Sequence, residues 1–317
     1  MFDLYKKRDF SAYFSDTITF FKSFGKHYFK NYFTINGIFL MILVVLIYFI
    51  TKIYMETLFS LSSNPNPNFN HFSNYFNNNM VLIIGTILFF VLLTLFLSLL
   101  NITYPIVYIQ LVEKNGGNNF GITEIIIGIK ENIGRLMVFF IGTLFVITPI
   151  LLIFGGILIL LCFVIIGIPL FLLFIPSVMS WISLSYYEYL TKKVSFFNSL
   201  KNGIKLLKQD FWTTIGTTFL MSMLIQIIQG FITMIPYIIG VIWIFVSAKN
   251  LDTNSQNDSM SAMSILMAVI MVFSVLLSYI FNNFLLINQG LIFYSLCEEN
   301  ENKSSKSQID LIGIQSE

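Results

Sequence analysis

Few side chains in this 317-residue sequence have the type and spacing that catalysis or metal binding requires. The two histidines, His27 and His71, cannot supply the several His or acidic ligands that a metal centre gathers at one depth. The long apolar tracts contain serines, but their interiors hold no His, Lys, Asp or Glu to activate one as a nucleophile. A phosphate loop of the type Gly-x-x-x-x-Gly-Lys is absent from the sequence. We therefore expect a protein that is not an enzyme, with no catalytic, metal-binding or cofactor-binding residues.

Amide and hydroxyl side chains recur at helical spacing in the last two apolar tracts. This predicted polar stripe consists of Gln226, Gln229, Ser274, Ser278, Asn282 and Gln289. Hydrogen bonding between helices is one interpretation, worth about 1 kcal/mol per contact in bilayers. A groove for a lipid headgroup or a small neutral solute is the other, and the sequence leaves both open.

Two groups of lysines repeat at helical spacing opposite apolar side chains. The lysines are Lys22, Lys26 and Lys30 in the first group and Lys201, Lys205 and Lys208 in the second. The apolar side chains are Phe10, Phe14, Phe21, Phe24 and Tyr28 in the first, and Phe196, Leu200, Ile204 and Leu207 in the second, where Ser195 is expected to cap the helix. Basic amphipathic helices lie in the headgroup layer with lysines toward anionic lipid. Packing against the ends of neighbouring spans is the alternative, and both can hold.

Composition tells which elements carry these residues. The chain is 56% hydrophobic and only 11% charged, whereas an ordinary soluble domain is about 25% charged. Its charges cluster between uncharged tracts longer than the roughly 20 residues that cross a bilayer. We predict an all-α polytopic membrane protein with spans near residues 33–52, 80–104, 136–154, 157–180, 211–235 and 261–285. Gly155 and Gly156 are expected to form the turn between the third and fourth spans.

The distribution of Lys and Arg predicts the orientation. Segments 1–32, 113–135, 188–210 and 286–317 carry 16 of the 18 basic residues, and only Lys52 and Lys249 lie on the other side. Both termini are therefore expected in the cytoplasm, with 1–32 as an amphipathic segment, 33–297 as the transmembrane domain and 298–317 as a tail. Loops 53–79 and 248–260 would face outward, the first as a disordered Asn-rich connector. Abundant Asn, Ile, Phe, Lys and Tyr favour a bacterial protein, hence the bacterial inner membrane.

A weak internal repeat predicts three units, each an amphipathic segment followed by a hairpin of two spans. In the second unit the apolar residues Ile122, Ile125, Ile129, Ile133 and Leu136 oppose Glu124, Glu131 and Arg135. Superimposing the units aligns Gly37, Gly142 and Gly216. Each even-numbered span ends in a carboxylate, at Glu113, Glu188 and Glu298, and is expected to project beyond the hydrocarbon there.

Residues 175–218 carry a proline in a span followed by aromatic, acidic and leucine positions. The pattern consists of Pro176, Tyr186, Tyr187, Glu188, Ser199, Leu206, Leu207, Phe211, Trp212 and Gly216. It resembles the membrane domain associated with bacterial glycerophosphoryl diester phosphodiesterases. Residues 293–296 (Phe-Tyr-Ser-Leu), with 309–313, are similar to the end of related bacterial multi-span proteins. The resemblance implies a multi-span fold with cytoplasmic amphipathic helices. Hydrolysis is not implied, because this sequence contains no phosphodiesterase catalytic domain.

Two functions are compatible with these features. The first is a non-enzymatic organiser or accessory protein that engages anionic lipid headgroups, a protein partner or another copy of itself. The second is a passive or exchange-type transporter of a lipid or small neutral solute, with the polar stripe lining the path. Nucleic acid is not expected as a partner, because the net charge is +2 and no basic stripe with interleaved stacking residues lies outside the membrane-adjacent segments.

Overall fold

The computed structural model describes residues 2–63, 69–163, 165–248 and 256–301, and in these ranges it is all-helical. Eight α-helices follow one another: α1 Phe10–Ser63, α2 Phe69–Asn115, α3 Ile122–Gly142, α4 Thr148–Cys162, α5 Gly167–Thr191, α6 Phe196–Gln209, α7 Phe211–Ala248 and α8 Gln256–Glu301. The predicted all-α architecture is confirmed.

Six segments of these helices are long and apolar enough to cross a membrane. They are Phe10–Thr51, Met80–Asn115, Ile122–Cys162, Gly167–Thr191, Phe211–Ile242 and Ile265–Glu299, with mean hydropathy between 1.9 and 3.0 in their most apolar windows. No more than 22% of any of these windows is buried inside the protein, and Val81 is 85% exposed. Apolar surface on this scale needs a covering other than water. The protein is therefore an integral membrane protein with six spans, as the sequence predicted.

The turn between the third and fourth spans does not lie where we expected it. Gly155 and Gly156 are inside α4, and the chain turns only after Cys162, at Ile165, which has a φ of 67° and donates its N–H to the Cys162 carbonyl. The predicted turn is wrong because a helix in apolar surroundings tolerates glycine. These two glycines therefore do not end the helix. The third span is accordingly longer than 136–154, and the fourth begins ten residues later than predicted, at Gly167.

A π-helical turn, Thr143–Ile147, joins α3 and α4 into one continuous rod. Pro149 lies two residues after this turn. It has no N–H to donate to the turn, and in a regular α-helix its ring would clash with the carbonyl four residues earlier. Widening the helix there relieves both problems. The Thr148 hydroxyl donates to the Thr143 carbonyl at 3.0 Å and satisfies one acceptor of the widened turn.

The three amphipathic segments differ in the structure. The first two are the leading turns of α1 and α3, continuous with the spans that follow, and only the third forms a separate helix, α6. This helix begins after Ser195 and ends at Asp210, whose φ of −135° and ψ of 65° break the helical path into α7. Ser195 occupies the N-cap position, but its hydroxyl makes no capping hydrogen bond, so the expected side-chain cap is wrong.

The expected loops are also shorter than the sequence suggested. Helix α1 continues to Ser63 and α2 begins at Phe69, so 53–63 and 69–79 of the predicted disordered connector are helical. Likewise, α8 begins at Gln256, inside the predicted loop 248–260. Residues 64–68, 249–255 and 302–317 of the predicted loops and tail lie outside the described residues, together with 309–313 of the family resemblance.

The chain divides into two compact units. The first unit comprises the described part of Met1–Ile35, Leu99–Leu224 and Asn282–Glu317, and the second comprises that of Asn36–Ser98 and Ile225–Phe281. In the first unit, large buried tyrosines form much of the core: Tyr13, Tyr28, Tyr32, Tyr104, Tyr108, Tyr187 and Tyr294. The buried face of α1 thus includes Tyr13, Phe20 and Tyr32, whereas Phe10 of the predicted apolar face is exposed.

Helix α6 packs against α5 at very close range. A Cβ built on Gly203 would lie 2.1 Å from the Ser185 hydroxyl oxygen and 3.0 Å from the Ser185 backbone nitrogen and Cα. Only glycine permits this approach. The glycines that the repeat aligns have no such common role, since Gly37 faces open space, Gly142 faces the Phe196 ring and Gly216 lies near Phe10.

We predict that Gly203→Ala lowers the free energy of unfolding by about 1–3 kcal/mol, because the added methyl group forces α6 away from the α5 backbone. Unfolding in SDS, followed by the fluorescence of Trp181 on α5, measures the change. Gly134→Ala is the matched control, since its Cβ meets nothing within 4 Å. That substitution should stabilise by about 0.5–1 kcal/mol through helix propensity alone. Equal midpoints for the two variants would contradict the prediction.

Candidate functional site

Three of the six positions of the predicted polar stripe, Gln229, Ser274 and Gln289, take part in interhelical hydrogen bonds. In the second unit, Gln229 Nε2 donates to the Ser274 carbonyl at 3.0 Å, while Gln226 and Ser278 are exposed. In the first unit, Gln289 Nε2 donates to Thr218 Oγ1 at 2.7 Å, and this hydroxyl lies 2.7 Å from Ser180 Oγ. Asn282 is half-buried. The contacts of Gln229 and Gln289 are those of helix packing.

Two asparagines beside the stripe on α8, Asn283 and Asn288, are fully buried, as is Gln289 of the stripe itself. Asn283 accepts a hydrogen bond from the Tyr28 hydroxyl at 2.7 Å, and Asn288 donates to the carbonyl of Tyr13 and to Thr17 Oγ1. These asparagines hold α8 against α1 within the first unit. Their burial could not be read from helical spacing, which placed them beside the polar face.

All six predicted headgroup lysines are exposed. Lys22, Lys26 and Lys30 lie on the face of α1 opposite its buried aromatic side chains, and Lys201, Lys205 and Lys208 lie on the corresponding face of α6. Leu200, Leu206 and Leu207 supply the buried face of α6. Two exposed aromatic side chains lie near the ends of α6 in the sequence: Phe197, in its first turn, at 68% exposure and Trp212, at the start of α7, at 70%.

The carboxylates that end the even-numbered spans lie in the first unit, with different surroundings. Glu188 is buried at the end of α5, where Asn202 Nδ2 donates to its Oε1 at 2.9 Å and Lys192 Nζ lies 3.3 Å from its Oε2. This carboxylate therefore ties α6 to α5. Glu298 is also buried, whereas Glu113 is exposed. We call this region, around Glu113, Glu188 and Glu298, the charged end of the first unit.

Arg135 does not lie on a solvated face as its place in the amphipathic pattern suggested. Its guanidinium stands 4.1 Å above the Tyr189 ring and donates to the carbonyls of Tyr189 and Val194, both at 2.6 Å. The last carbonyls of a helix have no partner within it. Arg135 supplies that partner at the end of α5 and so fixes the connection to α6.

Residues 2–9 cross the charged end, a packing that the sequence did not predict. The buried Arg8 side chain pairs with Asp16 at 2.8 Å and donates to the carbonyls of Leu4, Lys6 and Asp3, while the Arg8 N–H donates to Ser295 Oγ at 2.9 Å. Lys7 Nζ lies 2.7 Å from Glu299, and this hydrogen bond and the carboxylate charge raise the pKa of Lys7. Phe2 packs edge-on against Phe20 and Phe24 of α1.

A cleft of about 230 Å³ opens at the charged end. Its lining consists of Tyr5, Gln110, Glu113, Thr191, Lys192, Phe293, Tyr294 and Cys297. The Tyr5 and Tyr294 hydroxyls donate to Glu113 Oε1 and Oε2, each at 3.0 Å, and the two rings meet edge-to-face with centroids 5.1 Å apart. The cleft thus combines one carboxylate, several aromatic rings and a lysine.

The histidines have no catalytic surroundings in the described residues. His27 Nε2 donates to the Phe120 carbonyl at 2.9 Å, so Nδ1 is left to accept from the Tyr108 hydroxyl at 2.8 Å. This arrangement holds α1 against α2 and the segment before α3. The side chain of His71 lies outside the described residues. Among the side chains that the structure describes, no three of His, Cys, Asp and Glu converge as metal ligands would.

Compared with family models, curated proteins and solved structures, the chain matches none. The resemblance of residues 175–218 to the phosphodiesterase-associated membrane domain therefore stays a prediction. The fold and the charged end define a six-span helical membrane protein with a polar cleft and two exposed lysine stripes.

We predict that Arg8→Gln releases residues 2–9, because the half-buried Asp16 loses its closest partner and three carbonyls lose their donor. The free energy that holds this segment in place should fall by about 1–3 kcal/mol, the cost of leaving hydrogen-bonding groups without a partner. Hydrogen exchange of residues 2–9, followed by mass spectrometry, measures it as faster exchange. Lys7→Gln is the control, since its pair with Glu299 is exposed and should leave exchange beyond residue 7 unchanged. Unaltered exchange in Arg8→Gln would contradict the prediction and show that the other contacts suffice to hold residues 2–9 in place.

Proposed function

We propose that the protein is a non-enzymatic organiser or accessory protein of the bacterial inner membrane that engages anionic lipid headgroups through its lysine stripes. The observation that carries this proposal is α6, a separate amphipathic helix between two spans with its three lysines exposed. Such a helix, with an apolar face below and a basic face above, has the features of a segment that lies at a membrane surface.

The contacts of α6 support a location beside the headgroups. Its apolar face is fixed to the spans by the Gly203 contact, by the bond from Asn202 to Glu188 and by Trp181 Nε1, which donates to the Leu200 carbonyl at 3.1 Å. The exposed Trp212 has the amphipathic ring that membrane interfaces favour, and the exposed Phe197 adds an apolar ring. These contacts hold the lysines on a rigid support, which favours their engagement of lipid phosphate groups.

Electrostatics decides which lipid this surface favours. Each lysine near an anionic leaflet contributes about 1 kcal/mol to the free energy of binding. Three lysines on α6 and three on α1 therefore give a preference of several kcal/mol for anionic over neutral lipid. Lys22, Lys26 and Lys30 differ from the α6 set in that they stand on a helix continuous with a span. A basic face of this kind also suits an acidic segment of a partner protein or of a second copy.

Transport of a lipid or small neutral solute is the alternative function, and its support is weaker. It depends on the polar stripe lining a path, whereas Gln229 and Gln289 are engaged in hydrogen bonds between helices. The cleft at the charged end contains none of the six stripe residues. Bonds of this kind are what packing alone requires.

We predict that Lys201, Lys205 and Lys208 changed together to Gln reduce the anionic lipid that copurifies with the full-length protein by about tenfold or more. Native mass spectrometry of protein from nanodiscs containing equal phosphatidylglycerol and phosphatidylcholine measures the ratio. The same change at Lys22, Lys26 and Lys30 tests the α1 stripe separately.

The control for both sets is substitution by Arg, which keeps the charge and should keep the anionic preference. Raising the salt concentration should weaken retention in the parent and Arg proteins but not in the Gln proteins. Retention that is the same in all variants would contradict the lipid function and leave the basic faces to a protein partner.

We predict that both termini and α6 lie on the cytoplasmic side, because the basic residues concentrate there. In a background of Cys162→Ser and Cys297→Ala, single changes Lys130→Cys and Lys205→Cys should react with a membrane-impermeant maleimide only in inside-out vesicles. Lys249→Cys should react only in right-side-out vesicles. Labelling of Lys205→Cys in intact cells would reverse the proposed orientation.

A further inference from the structure

The cleft at the charged end carries chemistry that the lysine stripes do not use. We infer that it binds an organic ammonium group, with Glu113 as the counter-ion and the rings of Tyr5, Tyr294 and Phe293 as walls. The inference goes beyond the proposed function, since a different site takes a group of opposite charge.

The surroundings of Glu113 set it apart from other carboxylates of the charged end. Asp16 pairs with Arg8, Glu188 with Lys192 and Glu299 with Lys7. Glu113 instead accepts hydrogen bonds from two phenol hydroxyls, at 3.0 Å each. Neutral donors orient a carboxylate without cancelling its charge. A carboxylate accepts about four hydrogen bonds, so positions remain on both oxygens for an ammonium donor.

The aromatic rings supply the second half of the recognition. Tyr5 and Tyr294 stand edge-to-face against each other, and Phe293 lines the same cleft. Ring faces attract cations, and a carboxylate surrounded by such rings is the combination that recognises alkylammonium groups. Lys192, on the wall, lies 3.3 Å from Glu188 and so is drawn toward a carboxylate that is not part of the lining.

The size of the cleft limits the ligand. A volume of about 230 Å³ admits a small amine such as ethanolamine or choline but not a folded peptide. Tyr5 belongs to the segment 2–9 and both lines the cleft and holds Glu113, so this segment forms part of the site. The ammonium could be the end of an aminophospholipid headgroup or a free amine, and the experiment separates these sources.

The test measures binding to the full-length protein in nanodiscs. In the lipid arm, native mass spectrometry compares retention of phosphatidylethanolamine with that of phosphatidylglycerol. In the free-amine arm, calorimetry titrates ethanolamine and choline into nanodiscs of phosphatidylglycerol alone. We expect Glu113→Gln to lower retention or affinity in the responding arm by about tenfold or more, since one charge-assisted contact is lost. Tyr294→Phe, which keeps the ring, should cause a smaller loss.

Glu131→Gln is the control, because Glu131 is an exposed carboxylate on α3 that is outside the cleft lining. It should bind as the parent does. The melting temperature of each variant separates loss of ligand from loss of fold. After Glu113→Gln the amide oxygen can accept from one tyrosine hydroxyl and the amide nitrogen can donate to the other hydroxyl oxygen, so stability should change little. A response in either arm that Glu113→Gln abolishes supports the inference. No binding in either arm, or equal losses in Glu113→Gln and Glu131→Gln, overturns it.

Lysine variants and Glu113→Gln have separate readouts. Failure of the anionic preference in the lysine variants leaves ammonium binding intact, and absence of ammonium binding leaves the anionic preference intact. The two proposals therefore stand or fall independently.

Discussion

A phenol hydroxyl buried away from water must find an acceptor, and this constraint governs the first unit. An unpaired hydroxyl costs about 1–3 kcal/mol by mutational measures. Tyr28 therefore meets Asn283, Tyr32 meets Asn101 at 2.9 Å, and Tyr187 meets the Leu286 carbonyl at 3.0 Å. Each bond joins two different helices. The helices cannot rotate or slide against each other without breaking several of these hydrogen bonds. The tyrosines therefore fix the register of the helices, which dispersion forces between apolar side chains alone would not determine.

The same register places the charged end. With α8 held against α1 and α5, Ser295 lies where it can accept from Arg8, and Tyr294 lies where it can donate to Glu113. Asp16, Glu188 and Glu299 are then paired with basic side chains, whereas Glu113 is held by phenols. Meanwhile the lysines of α1 and α6 stay on the outer faces, because the inner faces are filled by Tyr, Phe and Leu. The acidic aromatic cleft is thus separate from the basic surface stripes because Tyr, Phe and Leu side chains fill the core and leave the lysines outside.

Hydropathy and the distribution of charge were sufficient to predict six spans, because an uncharged tract of this length has few other ways to be buried. Helical spacing also predicted the exposed lysine stripes. It failed where contacts join residues distant in sequence: Tyr13 and Tyr32 look like ordinary amphipathic positions until Asn288 and Asn101 are brought to them. Helical spacing failed again at Gly155, because glycine does not end a helix in apolar surroundings, where an exposed backbone would lose its hydrogen bonds. The cleft escaped prediction because its lining comes from four separate stretches of the chain.

The hydrogen bond from the Arg8 N–H to Ser295 joins residues 287 positions apart. At about 5–20 residues per second, a ribosome needs roughly 15 to 60 s to travel that distance. During this interval the partners of α1 on α8, among them Asn283 and Asn288, have not been synthesised. The first unit can therefore close only after α8 has been inserted, and until then the Tyr28 hydroxyl lacks its acceptor. Such an intermediate is the form on which insertion factors and quality-control proteases would act.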